Sequence, residues 1–212
     1  EIKKEIYDNT LALGKELDPE IIKSILRKYE QICIPESINI KVVNIYKIIE
    51  NLASKFKFSK LPRITLLNVL SPNAAATGIS SRRSAILITS GLITYMNEEE
   101  IETVIAHEFS HIKARDPLTL MSLVTIEYLT RVYIIWPKMA SLGLFFDILY
   151  LIFSFTVLFF VAKFLEARAD LDAAIITNKP KALASALRKI GLLKYQSHIF
   201  EIVNIEEWIK WD

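Results

Sequence analysis

The pattern of apolar and polar residues divides the chain into three regions. Residues 1–58 follow a helical period with interruptions near Pro19 and Pro35, which predicts two or three amphipathic helices that pack around a core. Turn-forming residues then separate three short runs of β-favouring residues, which predict a small sheet from residues 63–68, 74–80 and 84–89. The third region contains long apolar segments.

A helix with clear boundaries is predicted between the sheet and the apolar segments. Asn97 is a suitable N-cap, and Glu100 stands three residues later, as in a capping box. Ile101, Val104 and Ile105 supply the apolar stripe that such a helix buries.

Two apolar segments then form a predicted membrane hairpin over residues 118–162. Residues 142–162 contain one charge, Asp147, and would extend about 31 Å as a helix, the thickness of a bilayer core. Residues 118–136 carry Glu127 and Arg131, which are four residues apart and can pair. That segment is therefore expected to span the membrane, or else to lie on its surface or pack within the domain.

Composition supports this interpretation and excludes other classes of protein. Of the 212 residues, 52% are hydrophobic, and the mean hydropathy of +0.31 is high for a soluble protein. The formal charge of +2 predicts no nucleic-acid partner. Cys33 is the single cysteine, so no intramolecular disulfide can form.

The run from His107 to His111 holds the strongest candidate chemistry. On a helix, a spacing of four residues places both imidazoles on one face, where they can bind one ion. Glu108 would project beside that ion, where it could accept a proton from a zinc-activated water and later donate it to a leaving amine. The segment therefore predicts half of a zinc hydrolase site.

A catalytic zinc site generally needs a third protein ligand. His198 is the only other histidine, but Glu166 is the better candidate, because it is followed four residues later by Asp170 on the same predicted helix. Asp170 could then accept the free N–H of a ligand imidazole. The sequence does not decide which histidine it would hold.

Each of these residues also has a simpler explanation. His107 and His111 could fall at helical spacing by chance, and Glu166 and Asp170 could lie on a solvated helix face. A di-iron bundle would need a second Glu-x-x-His pair, and the residue three before His198 is Tyr195, so that alternative fails.

The motifs together resemble one family, over about residues 60–193. Residues 73–78, 84–92, 98–116 and 166–170 are similar in content, order and spacing to the membrane-embedded zinc metallopeptidases of the HtpX and CAAX prenyl protease group. The resemblance implies that His107, His111 and Glu166 bind one zinc ion, that Glu108 is the general base and that Asp170 supports a ligand. It also implies proteolytic activity.

Two departures from the family accompany the resemblance. Members commonly carry an aromatic residue at the position of Ala75, beside the substrate pocket. Members also tend to have a basic or histidine-containing segment near the end of the catalytic domain, where it could stabilise the tetrahedral intermediate. Here Tyr195 and His198 are the possible substitutes, although such tail residues are more often plain surface.

The sequence thus predicts a mainly helical α+β protein with a zincin-like metallopeptidase domain, a small β-sheet and an inserted membrane hairpin. We expect a helical region at 1–58, a catalytic domain at 59–117 and 163–212, and the hairpin at 118–162. An edge strand would receive an extended substrate, with binding residues Asn73, Ala74, Ala75, Ala76 and Thr77.

The expected function is zinc-dependent endoproteolysis of membrane or unfolded proteins at the bilayer. The basic residues at the outer ends of the hairpin place its catalytic side in the cytoplasm by the positive-inside rule: Lys113, Arg115, Lys163 and Arg168. The alternative function is that of a noncatalytic membrane adaptor or chaperone that holds unfolded chains on the exposed strand.

Overall fold

The computed structural model describes residues 2–9, 12, 18–28, 43–80, 82–139 and 144–209. Contacts divide the chain into two compact units, Glu1–Asn44 and Ile45–Asp212. The predicted site lies entirely in the second unit.

The described residues of the first unit include two short helices. Helix α1 covers Ile2–Asn9 and helix α2 covers Pro19–Arg27. Pro19 occupies the first turn of α2, where its missing N–H costs nothing, and Asp18 caps the helix by accepting the N–H of Glu20. The proline predicted to interrupt the helices therefore begins one of them, and Pro35 lies outside the described residues.

The second unit contains the sheet and the remaining helices. In chain order they are α3 (Ile45–Lys55), β1 (Arg63–Leu67), β2 (Ala74–Ser80), β3 (Arg83–Thr89), α4 (Ser90–Tyr95), α5 (Glu98–Ala114), α6 (Asp116–Thr130), a π-helical turn (Arg131–Ile135), α7 (Trp136–Met139), α8 (Leu144–Thr177) and α9 (Pro180–Ile209).

The three strands form one sheet in the order β1-β3-β2. Strand β3 is central, parallel to β1 with Arg63 opposite Ala85, and antiparallel to β2 with Ala74 opposite Ile88. This confirms the predicted small sheet. Because β2 pairs on one side only, it is an edge strand.

Helix α5 forms the centre of the second unit and contacts β2, α3, α8 and α9. Its N-terminus has the predicted capping box, in which Asn97 and Glu100 bond to each other's backbone N–H. The predicted stripe is buried, with Ile101, Val104 and Ile105 at most 5% exposed. Polar side chains on this helix are thereby held against a rigid core.

In the described part of the chain, two helical segments are long and apolar enough to cross a membrane: Asp116–Lys138, with 23 residues, and Leu144–Thr177, with 34. None of the most apolar stretch of the first segment is buried, and only 6% of that of the second. The described part of the chain therefore leaves these apolar side chains uncovered, as on helices that contact lipid.

The predicted pairing of Glu127 with Arg131 is confirmed. Arg131 Nε donates to Glu127 Oε1 at 3.0 Å, and the guanidinium also lies over the rings of Tyr128 and Trp136. Both charged side chains are mostly covered, with exposed fractions of 18% and 11% for Arg131 and Glu127. This pairing lowers the cost of placing charge in an apolar segment.

Candidate active site

Helices α5 and α8 bring together the three predicted metal ligands. His107 Nε2 and His111 Nε2 face each other 3.1 Å apart, one turn apart on α5. Glu166 on α8 completes the group, with Oε2 3.5 Å from His107 Nε2 and Oε1 3.7 Å from His111 Nε2. One ligand atom from each residue lies within 4.8 Å of the others, so the three could hold one metal ion.

Each imidazole is oriented through its other nitrogen by a carboxylate. His107 Nδ1 lies 2.8 Å from Asp170 Oδ1, and these two buried atoms have no other hydrogen-bond partner in the described part of the chain. His111 Nδ1 lies 2.7 Å from Asp116 Oδ2. Asp170, which the sequence left unassigned between the two histidines, therefore lies against His107.

Asp116 is a site residue that the sequence analysis missed. It is 4% exposed and also accepts a hydrogen bond from Arg168 of α8. An aspartate five residues after a histidine does not share its helix face, but Arg115 adopts a left-handed conformation with φ of 60° between α5 and α6. That turn brings Asp116 back to His111. The only signal in the sequence was Pro117, which predicts a break there.

The donor set fits a zinc ion. Because an ionised carboxylate can only accept, the proton of each imidazole belongs on Nδ1, and both Nε2 atoms present lone pairs. Two lone pairs and the Glu166 carboxylate would repel one another at these separations unless a cation lay between them. In a tetrahedral zinc site, ligand atoms about 2.0 Å from the metal lie roughly 3.3 Å apart, close to the separations found here.

The protonation of His107 agrees with a role as ligand. Burial lowers the pKa of His107, and the neighbouring His111 lowers it further. Asp170 and Glu166 act in the opposite direction, but the net pKa stays below that of an ordinary histidine. The neutral form that a metal requires is thereby favoured.

Glu108 lies beside the ligands and against the sheet. Its Oε2 accepts the N–H of Ala76 in β2 at 2.7 Å. Burial raises the pKa of Glu108 to about 7, although His111 and the Ala76 N–H lower it and Glu166 raises it further. A carboxylate with a pKa near neutrality is suited to accept and return a proton at physiological pH.

Alternate residues of β2 point their main-chain groups toward its free edge. The N–H of Ala76 points away from β3 to Glu108, and main-chain groups alternate along an antiparallel strand, so Ala74 and Ala76 face the open edge. Ala75 and Thr77 face β3. Asn73 is engaged, because Thr89 N–H donates to its carbonyl and its own N–H donates to Thr89 Oγ1. Of the five predicted binding residues, Ala74 and Ala76 therefore face the open edge, and the Ala76 N–H is already bonded to Glu108.

Small and polar contacts position α8 against α5. Ala169 and Ala173 are fully buried on α8, and Ser110 of α5 donates to Asp172 at 2.7 Å. Small residues allow two helix backbones to approach closely. Glu166 and Asp170 of α8 are thereby held next to the histidines.

Tyr195 and His198 are the candidate residues for stabilising the tetrahedral intermediate. Tyr195 of α9 is 67% exposed. The His198 side chain lies outside the described residues, so its suggested role in stabilising an oxyanion stays a prediction.

Comparison with known proteins shows the family of the chain. A model of Peptidase family M48 matches residues 40–206. Proteins called Protease HtpX homolog are similar: 32% identity in Bacteroides fragilis strain YCH46, 34% in Pyrococcus furiosus and 35% in Caldanaerobacter subterraneus subsp. tengcongensis. Each match covers 69% of this chain and, respectively, 52%, 55% and 56% of the relative. The chain thus spans about half the length of these curated relatives. No solved structure matches.

Proposed function

The chain belongs to peptidase family M48, and on that premise we propose that it is a zinc-dependent endopeptidase acting on membrane or unfolded proteins at a bilayer. One observation carries the proposal. The Nε2 atoms of His107 and His111 face each other at 3.1 Å beside Glu166, with a carboxylate behind each ring. This arrangement needs a cation and leaves Glu108 beside it.

The residues around the metal have separate roles in peptide hydrolysis. When bound, zinc supplies a Lewis acid that polarises a carbonyl and makes water nucleophilic near neutral pH. His107, His111 and Glu166 hold it, while Asp170 and Asp116 fix the imidazole tautomers. Glu108 accepts the proton of the attacking water and passes it to the leaving amine.

The substrate binds as an added strand on β2. Ala74 offers its main-chain groups and Ala76 its carbonyl to an extended polypeptide, which would lie over Glu108 and the metal ligands. Main-chain recognition tolerates many sequences, as cleavage of unfolded proteins requires.

The hairpin anchors the site at the membrane. Helix α8 is about 51 Å long at 1.5 Å per residue, longer than a bilayer core of about 30 Å, so its C-terminal part with Glu166 and Asp170 can extend beyond the lipid. The basic residues at the outer ends orient this side to the cytoplasm. Cysteine probes at Lys113 and Lys163 in a Cys33→Ser background should label from the cytoplasm and a probe at Lys138 from the opposite face. Cytoplasmic labelling at Lys138 would overturn the hairpin.

The adaptor hypothesis explains less of the site. An adaptor would use the open edge of β2, but it has no need for three convergent metal ligands or for a buried carboxylate with a pKa of about 7. Metal analysis separates the two functions, since an adaptor need not hold stoichiometric zinc.

The decisive test is hydrolysis of an unfolded protein by the purified full chain, with and without chelator and with zinc restored. Glu108→Gln should keep zinc and thermal stability but lose at least about 100-fold in turnover, because an amide cannot accept the proton. Glu98→Gln, on the exposed first turn of the same helix, is the matched control and should stay active. Undiminished turnover by Glu108→Gln would exclude Glu108 as the base.

A further inference from the structure

The sheet region of the chain is strongly basic. Residues 51–97 contain six lysines and arginines and no aspartate or glutamate, although acidic residues number 24 in the whole chain. A stretch of this length without a compensating acid creates a local positive potential. The catalytic Glu108 lies directly against this region through its bond to Ala76.

Four of the six basic side chains surround one cavity. The cavity has a volume of about 540 Å³ and is lined by Lys60, Arg63, Arg82 and Arg83, together with Thr77 and Gly78 of β2. No ion pair among the described residues involves any of these four cations. We call this cavity the basic pocket. Its charge is not neutralised by a described carboxylate of the chain.

Gly78 allows the turn that carries Arg82 and Arg83 to lie against the end of β2. Its φ is +139°, and a Cβ there would lie 2.3 Å from the Arg83 carbonyl oxygen and 2.6 Å from Ser84 Cα. The register of the β2–β3 pair also shifts between Gly78 and Ser80. Only glycine allows this close approach, which places Arg83 beside the last residues of the edge strand.

The basic pocket reaches the expected path of a bound polypeptide at the C-terminal end of β2, while the rest of its lining belongs to β1, β3 and the adjoining segments. Thr77 and Gly78, which line it, follow Ala76 by one and two residues, and a strand advances about 3.3 Å per residue. The pocket therefore begins roughly 3 to 7 Å along the edge from the N–H that contacts Glu108. An extended chain paired with β2 would pass the pocket two to four residues from the bond over the metal.

We propose that the basic pocket selects polypeptide substrates carrying a carboxylate, as an aspartate or glutamate side chain, two to four residues from the cleaved bond. This inference rests on the proposed peptidase function and on substrate binding along β2. Arginine guanidinium groups match carboxylates in bidentate geometry, and three of the four cations are arginines. Continuity with the edge strand favours a peptide ligand over a lipid headgroup.

Peptide pairs that differ only by Asp or Asn test the inference. The Asp or Asn is placed two, three or four residues from the cleaved bond, on either side of it, in separate peptides. For each pair, the ratio of kcat/KM for the Asp peptide over the Asn peptide is measured with the full chain. We expect a ratio of about 10 at one position, mainly through KM, that falls as salt is raised. Equal cleavage of every pair would overturn the basic pocket as a specificity site while leaving the peptidase proposal intact.

Substitutions in the basic pocket test whether it causes the preference for Asp over Asn peptides. In Arg82→Gln/Arg83→Gln the ratio should fall to near 1, with zinc content and thermal stability retained as proof of folding. Arg83→Glu should favour a Lys peptide over the Asp peptide at the same position. Arg188→Gln, an exposed arginine of α9, is the matched control and should keep the wild-type ratio. A wild-type ratio in the double variant would overturn the assignment.

A binding measurement separates this proposal from the peptidase proposal. Fluorescein-labelled Asp and Asn peptides are titrated with Glu108→Gln, whose affinity does not depend on turnover. Tighter binding of the Asp peptide, lost in Glu108→Gln/Arg82→Gln/Arg83→Gln, supports the pocket even if no peptide is cleaved. If instead the arginine variants weaken only the binding of short-chain phosphatidylglycerol, the pocket is a lipid site and the proposal is wrong.

Discussion

The two helices that carry the metal ligands, α5 and α8, differ in how much of their surface is buried. In α5, nine of 17 residues are buried, and both ends are defined by a capping box and a left-handed residue. In α8, four of 34 residues are buried, and most of its large apolar side chains are exposed. Helix α5 is a core helix of a globular domain, whereas α8 has the surface of a membrane helix that continues into the site.

The difference explains how the site is held. The histidines of α5 are fixed by burial of their own helix. The positions of the Glu166 and Asp170 carboxylates depend on where α8 touches α5, through the buried Ala169 and Ala173 and the bond of Asp172 to Ser110, and on the bond of Arg168 to Asp116 at the start of α6. We therefore expect perturbations of α8 to affect metal binding more than the stability of the domain.

Removing a ligand should have the largest effect. His107→Ala, His111→Ala and Glu166→Ala should each abolish stoichiometric zinc, because the site needs three protein ligands. Glu166 is 58% exposed, so its variant should stay folded. Metal content by mass spectrometry, alongside His198→Ala as a control that keeps zinc, decides the assignment. Full zinc in Glu166→Ala would remove α8 from the site.

The orienting carboxylates should have intermediate effects. Asp116→Asn and Asp170→Asn should each weaken zinc affinity by about 10- to 100-fold, since an amide holds the imidazole proton less well. Arg168→Gln should weaken it less, and should add little in the Asp116→Asn background because it acts through Asp116. Competition with a chelator measures these affinities. Independent, additive losses in the double variant would show that Arg168 acts by another route.

Overpacking the helix contact should cost stability. Ala169→Leu inserts a large side chain at a fully buried position of α8. It should destabilise the protein by about 1 to 3 kcal/mol. Ala167→Leu, two residues earlier on an exposed position of the same helix, should change little. Denaturant unfolding of both variants tests the contrast, and equal stability would mean that α8 does not pack closely there.

The smallest effect is expected at the far end of α5, and it should depend on pH. Burial would raise the pKa of Glu100, but hydrogen bonds from Lys189, Ser185 and the Asn97 N–H outweigh it and lower the pKa overall. A lowered folded-state pKa stabilises the protein above the ordinary glutamate pKa of 4.5 and loses that contribution as pH falls through the folded value. Glu100→Gln should therefore cost about 1 kcal/mol at neutral pH.

Measurement of unfolding free energy from pH 7 down to pH 3 checks this sign. The gap between wild type and Glu100→Gln should close at the acid end, while Glu98→Gln should match wild type throughout. A gap that widens on acidification would contradict the lowered pKa.

Much of the architecture follows from local patterns. The three strands, the capping box of α5 and the continuation of α8 through Glu166 and Asp170 were predictable because they depend on period, caps and turn residues close in sequence. The spacing of His107 and His111 is likewise a property of one helix. The family resemblance proposed from these motifs is confirmed.

Tertiary structure decided the contacts between distant elements. The sequence could not assign Asp170 to His107, find Asp116 behind His111, or separate Ala74 and Ala76 from their neighbours on β2. Nor could it gather four basic residues, separated by up to 23 positions, into one pocket. Local propensity acts over a few residues, whereas these contacts arise from a left-handed turn, from strand order and from the packing of α8 on α5.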